Sequence, residues 1–206
     1  IQNSPKFFSN PHSVPKLKKI QINRGLGLAA QNTNLLKKNI DEFERITGQK
    51  PIVTKSKKAI AGFKIREEME LGLSITLRGE KMYQFLTKLL FFTFTQIRDF
   101  GGLSLRSFDK AGNYTLGLKE QLIFPEVDYD QVDQTQGCTI TIVFDHNSPK
   151  FRNESIDKIL NGMILLKFLR FPLNDCGYYD KYDSFSEINR AWDKKRHLKR
   201  KRWSQE

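Results

Sequence analysis

Residues 55–66, with the sequence KSKKAIAGFKIR, contain the chain's clearest candidate for chemistry. Five Lys or Arg residues surround a short apolar centre that includes Gly62. Such a cluster can neutralise nucleic-acid phosphates and release the counterions condensed around them. The simpler alternative is a solvated hairpin tip that binds no ligand, because charged residues are also common in turns exposed to solvent. The segments on either side of the loop have to distinguish the two.

Groups that perform catalysis or bind metals are sparse. The two cysteines, Cys138 and Cys176, and the three histidines form neither a disulfide framework nor a zinc-ligand spacing. No Ser-His-Asp or Cys-His arrangement is visible, and so few cysteines favour a reducing compartment. We therefore expect a protein that is not an enzyme, with no metal and no cofactor.

One motif favours a competing function. Residues 25–30, GLGLAA, match G-x-G-x-x-A between a predicted strand and a predicted helix, which is the context of a dinucleotide-binding turn. The next predicted strand ends in Thr54 and Lys55 rather than in the acidic residue that binds the ribose, and no series of parallel βαβ units follows. A dinucleotide-binding oxidoreductase stays the alternative from another functional class. A free RNA-binding chaperone is a further alternative.

The overall charge indicates a polyanionic partner. The chain has 35 Lys and Arg against 23 Asp and Glu, a formal net charge of +12. Domains this basic commonly bind nucleic acid or an acidic membrane surface. The longest apolar segment, near residues 85–97, is interrupted by Lys88 and several polar residues, so it falls short of the ~18 apolar residues that span a bilayer. We expect nucleic acid and no membrane partner.

The hydrophobic periodicity predicts an α+β fold. Strands are predicted at 17–23, 51–55, 71–78, 114–118 and 138–144, and helices at 33–47, 80–100 and 156–171. We predict a ferredoxin-like or RRM-like mixed sheet, with helices packed on one face and the other face open. The domain should span residues 16–173, preceded by an arm at 1–15 and followed by a basic extension at 174–206.

The predicted open face carries no carboxylate. Its residues are Lys19, Gln21, Asn23, Ser74, Thr76, Arg78, Thr139 and Thr141. Hydroxyls, amides and cations without carboxylates suit contacts with phosphates and riboses. The alternative is an ordinary solvated face, because β-propensity alone enriches strands in Thr. The adjacent basic loop favours RNA binding.

Two later segments have biased charge. Glu120, Glu126, Asp128, Asp130 and Asp133 form an acidic patch without the ligand spacing of a calcium loop, so it indicates either docking of a basic neighbour or plain solubility. The extension at 174–206 is basic and contains Trp192 and Trp203. It has too few aliphatic residues to fold alone, and we expect it to become ordered against rRNA or a neighbouring protein.

Six strings in a fixed order carry a resemblance to a known family. They are GQKPIVTK at 48–55, AIAGFKIRE at 59–67, TLRGEKMY at 76–83, IRDFGGL at 97–103, GNYTLG at 112–117 and EQLIFPE at 120–126. From about Val14 to Leu173 the chain closely resembles the large-subunit ribosomal protein L5 family in its bacterial and organellar form. The extension beyond Leu173 indicates an organellar ribosome, for which we expect the mitochondrion, with a plastid as the alternative.

The resemblance implies a structural protein of the central protuberance that binds 5S rRNA and the large-subunit rRNA. It also implies contacts with peptidyl-site tRNA, with neighbouring central-protuberance proteins and with a small-subunit head protein across the intersubunit bridge. The family's rRNA-binding positions fall on Asn23, Arg24, Gln49, Thr54, Thr76 and Arg78, although Arg24 stands where an apolar residue is commoner. Its tRNA-contact loop falls on Lys55, Lys57, Lys58, Ala59, Ile60, Ala61, Gly62, Phe63 and Lys64.

Overall fold

The computed structural model describes residues 14–27, 32–98, 100–129, 132, 134–145 and 155–174. These belong to two units, one made of residues up to Phe100 together with Ser107–Phe171, and a second made of Gly101–Arg106 and the residues from Pro172 onward. Most of the predicted arm at 1–15 and nearly all of the extension at 174–206, including Cys176, Trp192 and Trp203, lie outside the described residues.

The first unit alternates strands and helices. Its strands are β1 (Lys16–Gly25), β2 (Ile52–Lys55), β3 (Glu70–Leu77), β5 (Tyr114–Leu118) and β6 (Cys138–Asp145). Its helices are α1 (Thr33–Thr47), α2 (Gly79–Lys88), α3 (Phe94–Gln96) and α4 (Ser155–Phe168), with a π-helical turn at Leu89–Thr93 between α2 and α3. In the second unit, β4 (Leu103–Ser104) pairs in parallel with β7 (Leu173–Asn174).

The five strands of the first unit form one sheet in the order β2-β3-β1-β6-β5. Every neighbouring pair is antiparallel, so β1 and β2 run parallel to each other on either side of β3. This split β-α-β arrangement is the ferredoxin-like feature that we predicted, and the α+β class is confirmed. The prediction of a mixed sheet is corrected, because the one parallel pairing among the described strands lies in the second unit.

Residues at both ends of α1 fix its position in the chain. The side chain of Asn32 accepts a hydrogen bond from the Asn34 amide at 3.1 Å, which satisfies one of the amides that a helix start leaves unpaired. Gly48 has a φ of +66° after the last turn, and its amide donates to the carbonyl of Glu44. A glycine takes this left-handed conformation at little cost. Both bounds of α1 agree with the sequence prediction.

Alternation along the strands places the core on one face of the sheet. Each of these side chains is at most 2% exposed, and they are Ile20, Ile22, Leu73, Ile75, Leu77, Ile140 and Ile142. Helix α2 and the π-helical turn bury Met82, Phe85 and Leu89. Burial of one such side chain stabilises the fold by about 1.5–3 kcal/mol. The residues between them on the strands point to the opposite face, which is open.

The long helix predicted at 80–100 is interrupted and shorter. After the π-helical turn the chain returns to α3 and leaves the helix at Ile97, whose ψ is 122°. The Thr95 hydroxyl donates to the carbonyl of Phe92 at 2.7 Å, which occupies a helix carbonyl near this end. Within the described ranges, no helix combines the length and the apolar character needed to cross a membrane.

Candidate nucleic-acid interface

The antiparallel register aligns polar residues across the open face. One line crosses all five strands through Ile52, Ser74, Asn23, Thr139 and Gly117, and we call it the asparagine row. The next line crosses four strands through Thr76, Gln21, Thr141 and Thr115, and we call it the glutamine row. The predicted open face is therefore present, and neither row contains a charged residue.

Most hydrogen-bonding groups of the two rows are available to a ligand. The hydroxyls of Thr115 and Thr141 lie 3.4 Å apart and share a hydrogen bond. The side chains of the other five polar row residues have no hydrogen-bond partner within the described part of the chain, and these are Asn23, Gln21, Ser74, Thr76 and Thr139. All of them are exposed or half-exposed. Water or a ligand must satisfy these groups.

Charged side chains lie at the two ends of the open face. Lys19 and Arg78 flank the glutamine row at the end where β1 begins and β3 ends. Lys55 is aligned with Glu70 at the opposite end. Arg78 is exposed and precedes the first residue of α2, so its cation and the positive end of the helix dipole both favour an anion there. The face thus has a neutral centre and a cationic end.

The backbones of β3 and β1 approach each other closely at Gly72, beside the asparagine row. A Cβ atom on Gly72 would lie 2.6 Å from the carbonyl oxygen of Arg24 and 3.1 Å from the hydroxyl of Thr54. Any side chain at this position would therefore push β3 away from β1 and crowd Thr54. Thr54 itself is exposed at the edge of the same face.

Gln49 is held beside the sheet just before β2 begins. Its side-chain amide donates to the carbonyl of Thr76 at 3.3 Å, a group that β2 does not reach because its pairing with β3 begins at Ile52. The ammonium of Lys81 donates to the neighbouring Gly48 carbonyl at 2.8 Å. Gln49 therefore lies next to the glutamine row, half-buried and partly engaged within the protein.

Arg24 is the one predicted rRNA-binding residue that the structure removes from the open face. Its side chain is 0% exposed and lies on the core side, on the same strand face as Ile20 and Ile22. The guanidinium donates to Asn39 at 2.8 Å and to Glu42 at 3.0 Å, and it lies 4.2 Å from the centre of the Phe43 ring. A buried cation needs such partners. Its even spacing from Ile20 and Ile22 was the signal in the sequence.

The basic loop is an ordered hairpin that continues from β2 and β3. The Ser56 amide donates to the Met69 carbonyl at 2.8 Å, and Ile60 exchanges backbone hydrogen bonds with Ile65 at 2.9 and 3.2 Å. A 3₁₀ turn at Ala61–Phe63 closes the tip. All nine residues predicted for the tRNA-contact loop are exposed, and Phe63 is 67% exposed. We call residues 55–66 the basic hairpin.

One acidic residue after β5 is neutralised within the protein. Glu126 forms an ion pair with Lys88 at 2.6 Å. Asp130 and Asp133 of the predicted acidic patch lie outside the described residues. Among the residues that the structure does describe, no three His, Cys, Asp or Glu side chains are grouped so that they could hold a metal ion.

The structure gives no support to the dinucleotide alternative. Part of the glycine motif, residues 28–30, lies outside the described residues, but both neighbours of β1 in the sheet are antiparallel to it. A dinucleotide-binding sheet is built from adjacent parallel strands.

Burial raises the pKa of the Cys138 thiol to about 11, so this thiol is a poor nucleophile at neutral pH.

Comparisons with known proteins agree with this architecture. A family model for ribosomal protein L5 matches residues 10–66, and a model for the C-terminus of the ribosomal L5P family matches residues 70–173. The chain is 85% identical over 206 residues to the large ribosomal subunit protein uL5c of Phaeodactylum tricornutum, covering all of this chain and 87% of that protein. The uL5c protein of Thalassiosira pseudonana is 76% identical over 205 residues, or 86% of its length. The uL5 protein of Acaryochloris marina is 50% identical over 168 residues, which are 82% of this chain and 87% of that protein.

The names of these relatives correct one expectation and settle the family. Several are uL5c, the chloroplast form, so they do not support the mitochondrial location that we expected and favour the plastid alternative. Two family models together cover most of the chain, and the identity to named relatives is high. The chain therefore belongs to the ribosomal protein L5 family, and it is a non-enzymatic structural constituent of the large ribosomal subunit.

Proposed function

We propose that the open face of the sheet binds 5S rRNA in the central protuberance. The observation that carries this proposal is the pair of polar rows, which expose hydroxyls and amides without any carboxylate. Arg78 and Lys19 add cations at one end, where phosphates can be neutralised. Asn23, Thr54, Thr76 and Arg78 contact the RNA directly. Gln49 lies at the edge of the same surface.

The basic hairpin contacts peptidyl-site tRNA in this proposal. Its exposed lysines provide phosphate contacts, and its own backbone hydrogen bonds hold the tip in shape without help from the open face. The exposed ring of Phe63 adds an apolar surface at the tip. The hairpin and the open face are thus separate RNA-binding surfaces with different ligands.

Other partners follow from membership of the family. The protein contacts the large-subunit rRNA, neighbouring central-protuberance proteins and a small-subunit head protein across the intersubunit bridge. The names of the relatives support a plastid ribosome as its location. The domain ends near Leu173, and the basic extension at 174–206 binds rRNA or an adjacent ribosomal protein.

Direct titration with two RNAs tests the main proposal. The purified chain is titrated with 5S rRNA and, separately, with a structured RNA of similar length, each at two salt concentrations. We expect 5S rRNA to bind more tightly at both salt concentrations, because a specific RNA adds contacts that do not depend on salt to the phosphate contacts that any RNA can make. Equal affinity for both RNAs would show that binding is non-specific and would contradict the proposal.

A further inference from the structure

We propose that the open face selects RNA over DNA, because the asparagine and glutamine rows form hydrogen bonds with ribose 2′-hydroxyls. In this arrangement, phosphates are contacted only at the ends of the face. The inference rests on the proposed binding of 5S rRNA to this surface and adds which groups of the RNA its centre recognises.

The chemistry of the two rows matches a hydroxyl ligand. Seven of their nine residues carry a hydroxyl or an amide, and such groups can both donate and accept a hydrogen bond, as a 2′-hydroxyl does. Five of the seven have no side-chain partner among the described residues. A deoxyribose facing them would leave these groups dehydrated and unpaired, and each such loss costs about 1–3 kcal/mol.

The charge distribution separates this contact from phosphate binding. Neither row contains a Lys, Arg, Asp or Glu, whereas Lys19, Arg78 and Lys55 lie at the ends of the face. The salt dependence of binding reports the number of phosphates that cations neutralise. Contacts made by the rows should therefore leave that dependence unchanged, while contacts made by the end cations should set it.

The shape of the face suits the minor groove of an RNA helix. Neighbouring strands lie about 4.8 Å apart, so a row that crosses five strands extends about 19 Å. Most row side chains are short, as at Ser74 and Thr139, or absent, as at Gly117, whereas Gln21 and the exposed Ile52 are larger. The minor groove of an RNA helix is wide and shallow and displays its 2′-hydroxyls, so a broad polar face can lie against it.

Two forms of one RNA provide the test. The first probe is unmodified 5S rRNA, and the second carries 2′-deoxy substitutions at the nucleotides that the bound full-length chain protects from hydroxyl-radical cleavage. We expect the substitutions to raise the Kd for the wild-type chain at least tenfold. The slope of log Kd against log salt should be the same for both probes.

Two variants separate the rows from the cations. In the double variant Asn23→Ala with Thr139→Ala, we expect the ratio of the two Kd values to fall below about 3, because side chains that bind the 2′-hydroxyls have been removed. The matched control Arg78→Ala should raise the Kd of both probes by the same factor and so leave their Kd ratio unchanged. It should also reduce the slope of log Kd against log salt by about 1. If the double variant does not fold, Thr139→Val alone, which changes one hydroxyl to a methyl, should lower the ratio by a smaller factor.

The possible outcomes distinguish this inference from the function on which it rests. A Kd ratio near 1 for the wild-type chain, or the same ratio in the wild type and the row variant, would overturn the role of the rows. Failure of the wild-type chain to bind unmodified 5S rRNA would instead refute the proposed function itself.

Discussion

On the buried face of the sheet, Arg24 donates to Asn39 and Glu42 and lies over Phe43, whereas on the open face the amide of its neighbour Asn23 has no side-chain partner in the described protein. The two residues are consecutive in β1, and strand alternation sends them to opposite sides. Partners inside the fold hold the side chain of Arg24. The side chain of Asn23 remains accessible to a ligand.

This contrast implies that stability and RNA binding depend on different residues of the same strands. A buried polar group without its partner costs the folded state free energy, while an exposed polar group is satisfied by water until a ligand replaces the water. Changes on the buried face should therefore alter unfolding. Changes on the open face should alter affinity for RNA, and each should leave the other property nearly intact.

The largest expected effect on affinity comes from two acids on the open face. Thr76→Glu with Arg78→Glu should weaken 5S rRNA binding by about 3 kcal/mol, or roughly 100-fold, since contacts are lost and repulsion is added. Filter binding at fixed salt measures the change. The matched control is Thr87→Glu with Arg98→Glu, which makes the same charge change at exposed sites outside the sheet. Unchanged affinity in the first variant, with an unchanged midpoint of thermal unfolding, would show that the open face does not bind 5S rRNA.

The converse change is Arg24→Met on the buried face. It leaves Glu42 without its ion-pair partner, and we expect the free energy of unfolding to fall by about 3 kcal/mol, the low end for broken buried pairs, because Glu42 is partly exposed. Urea unfolding measures this loss. Adding Glu42→Leu should recover most of it. If the folded Arg24→Met variant lost affinity for 5S rRNA tenfold, the side chain would belong to the RNA interface after all.

A smaller change in 5S rRNA binding is expected from the basic hairpin. Lys57→Ala with Lys58→Ala leaves the polar rows intact, so affinity for 5S rRNA should fall by less than about 1 kcal/mol, as expected for two exposed cations away from the interface. Ribosomes assembled with this variant should retain peptidyl-site tRNA less well. Normal tRNA retention combined with defective subunit assembly would make the hairpin a scaffold element instead.

The smallest effect on 5S rRNA binding should follow removal of the extension. The chain is cut after Asn174, because the side chain of that residue donates to the Gly101 carbonyl at 2.6 Å within the second unit. We expect the thermal unfolding midpoint and 5S rRNA affinity at about 0.2 M salt to change little, since salt screens contacts from a separate basic segment. Incorporation into large subunits should fall, as measured by sedimentation. A clear drop in the unfolding midpoint would show that the extension packs on its own domain.

Local patterns predicted much of this fold because their causes are local. The caps of α1 at Asn32 and Gly48 and the alternation in β3 follow from the residues themselves. The π-helical turn at Leu89–Thr93 and the hydrogen bond from Gln49 to Thr76 depend on packing between distant segments, so local sequence patterns did not predict them. The position of Arg24 depends on Asn39 and Glu42, which lie 15 and 18 residues away in the chain.

The most direct test of the central claim is to find which side of the sheet lies against 5S rRNA. A photo-reactive phenylalanine derivative is placed at Thr139, in the asparagine row, or at Phe92, which is 56% exposed on the helical part of the same unit. Each full-length chain is irradiated in complex with 5S rRNA, and adducts are counted on gels. We expect adducts from position 139 and essentially none from position 92. Adducts from position 92 alone would place the RNA on the helical side and contradict the account.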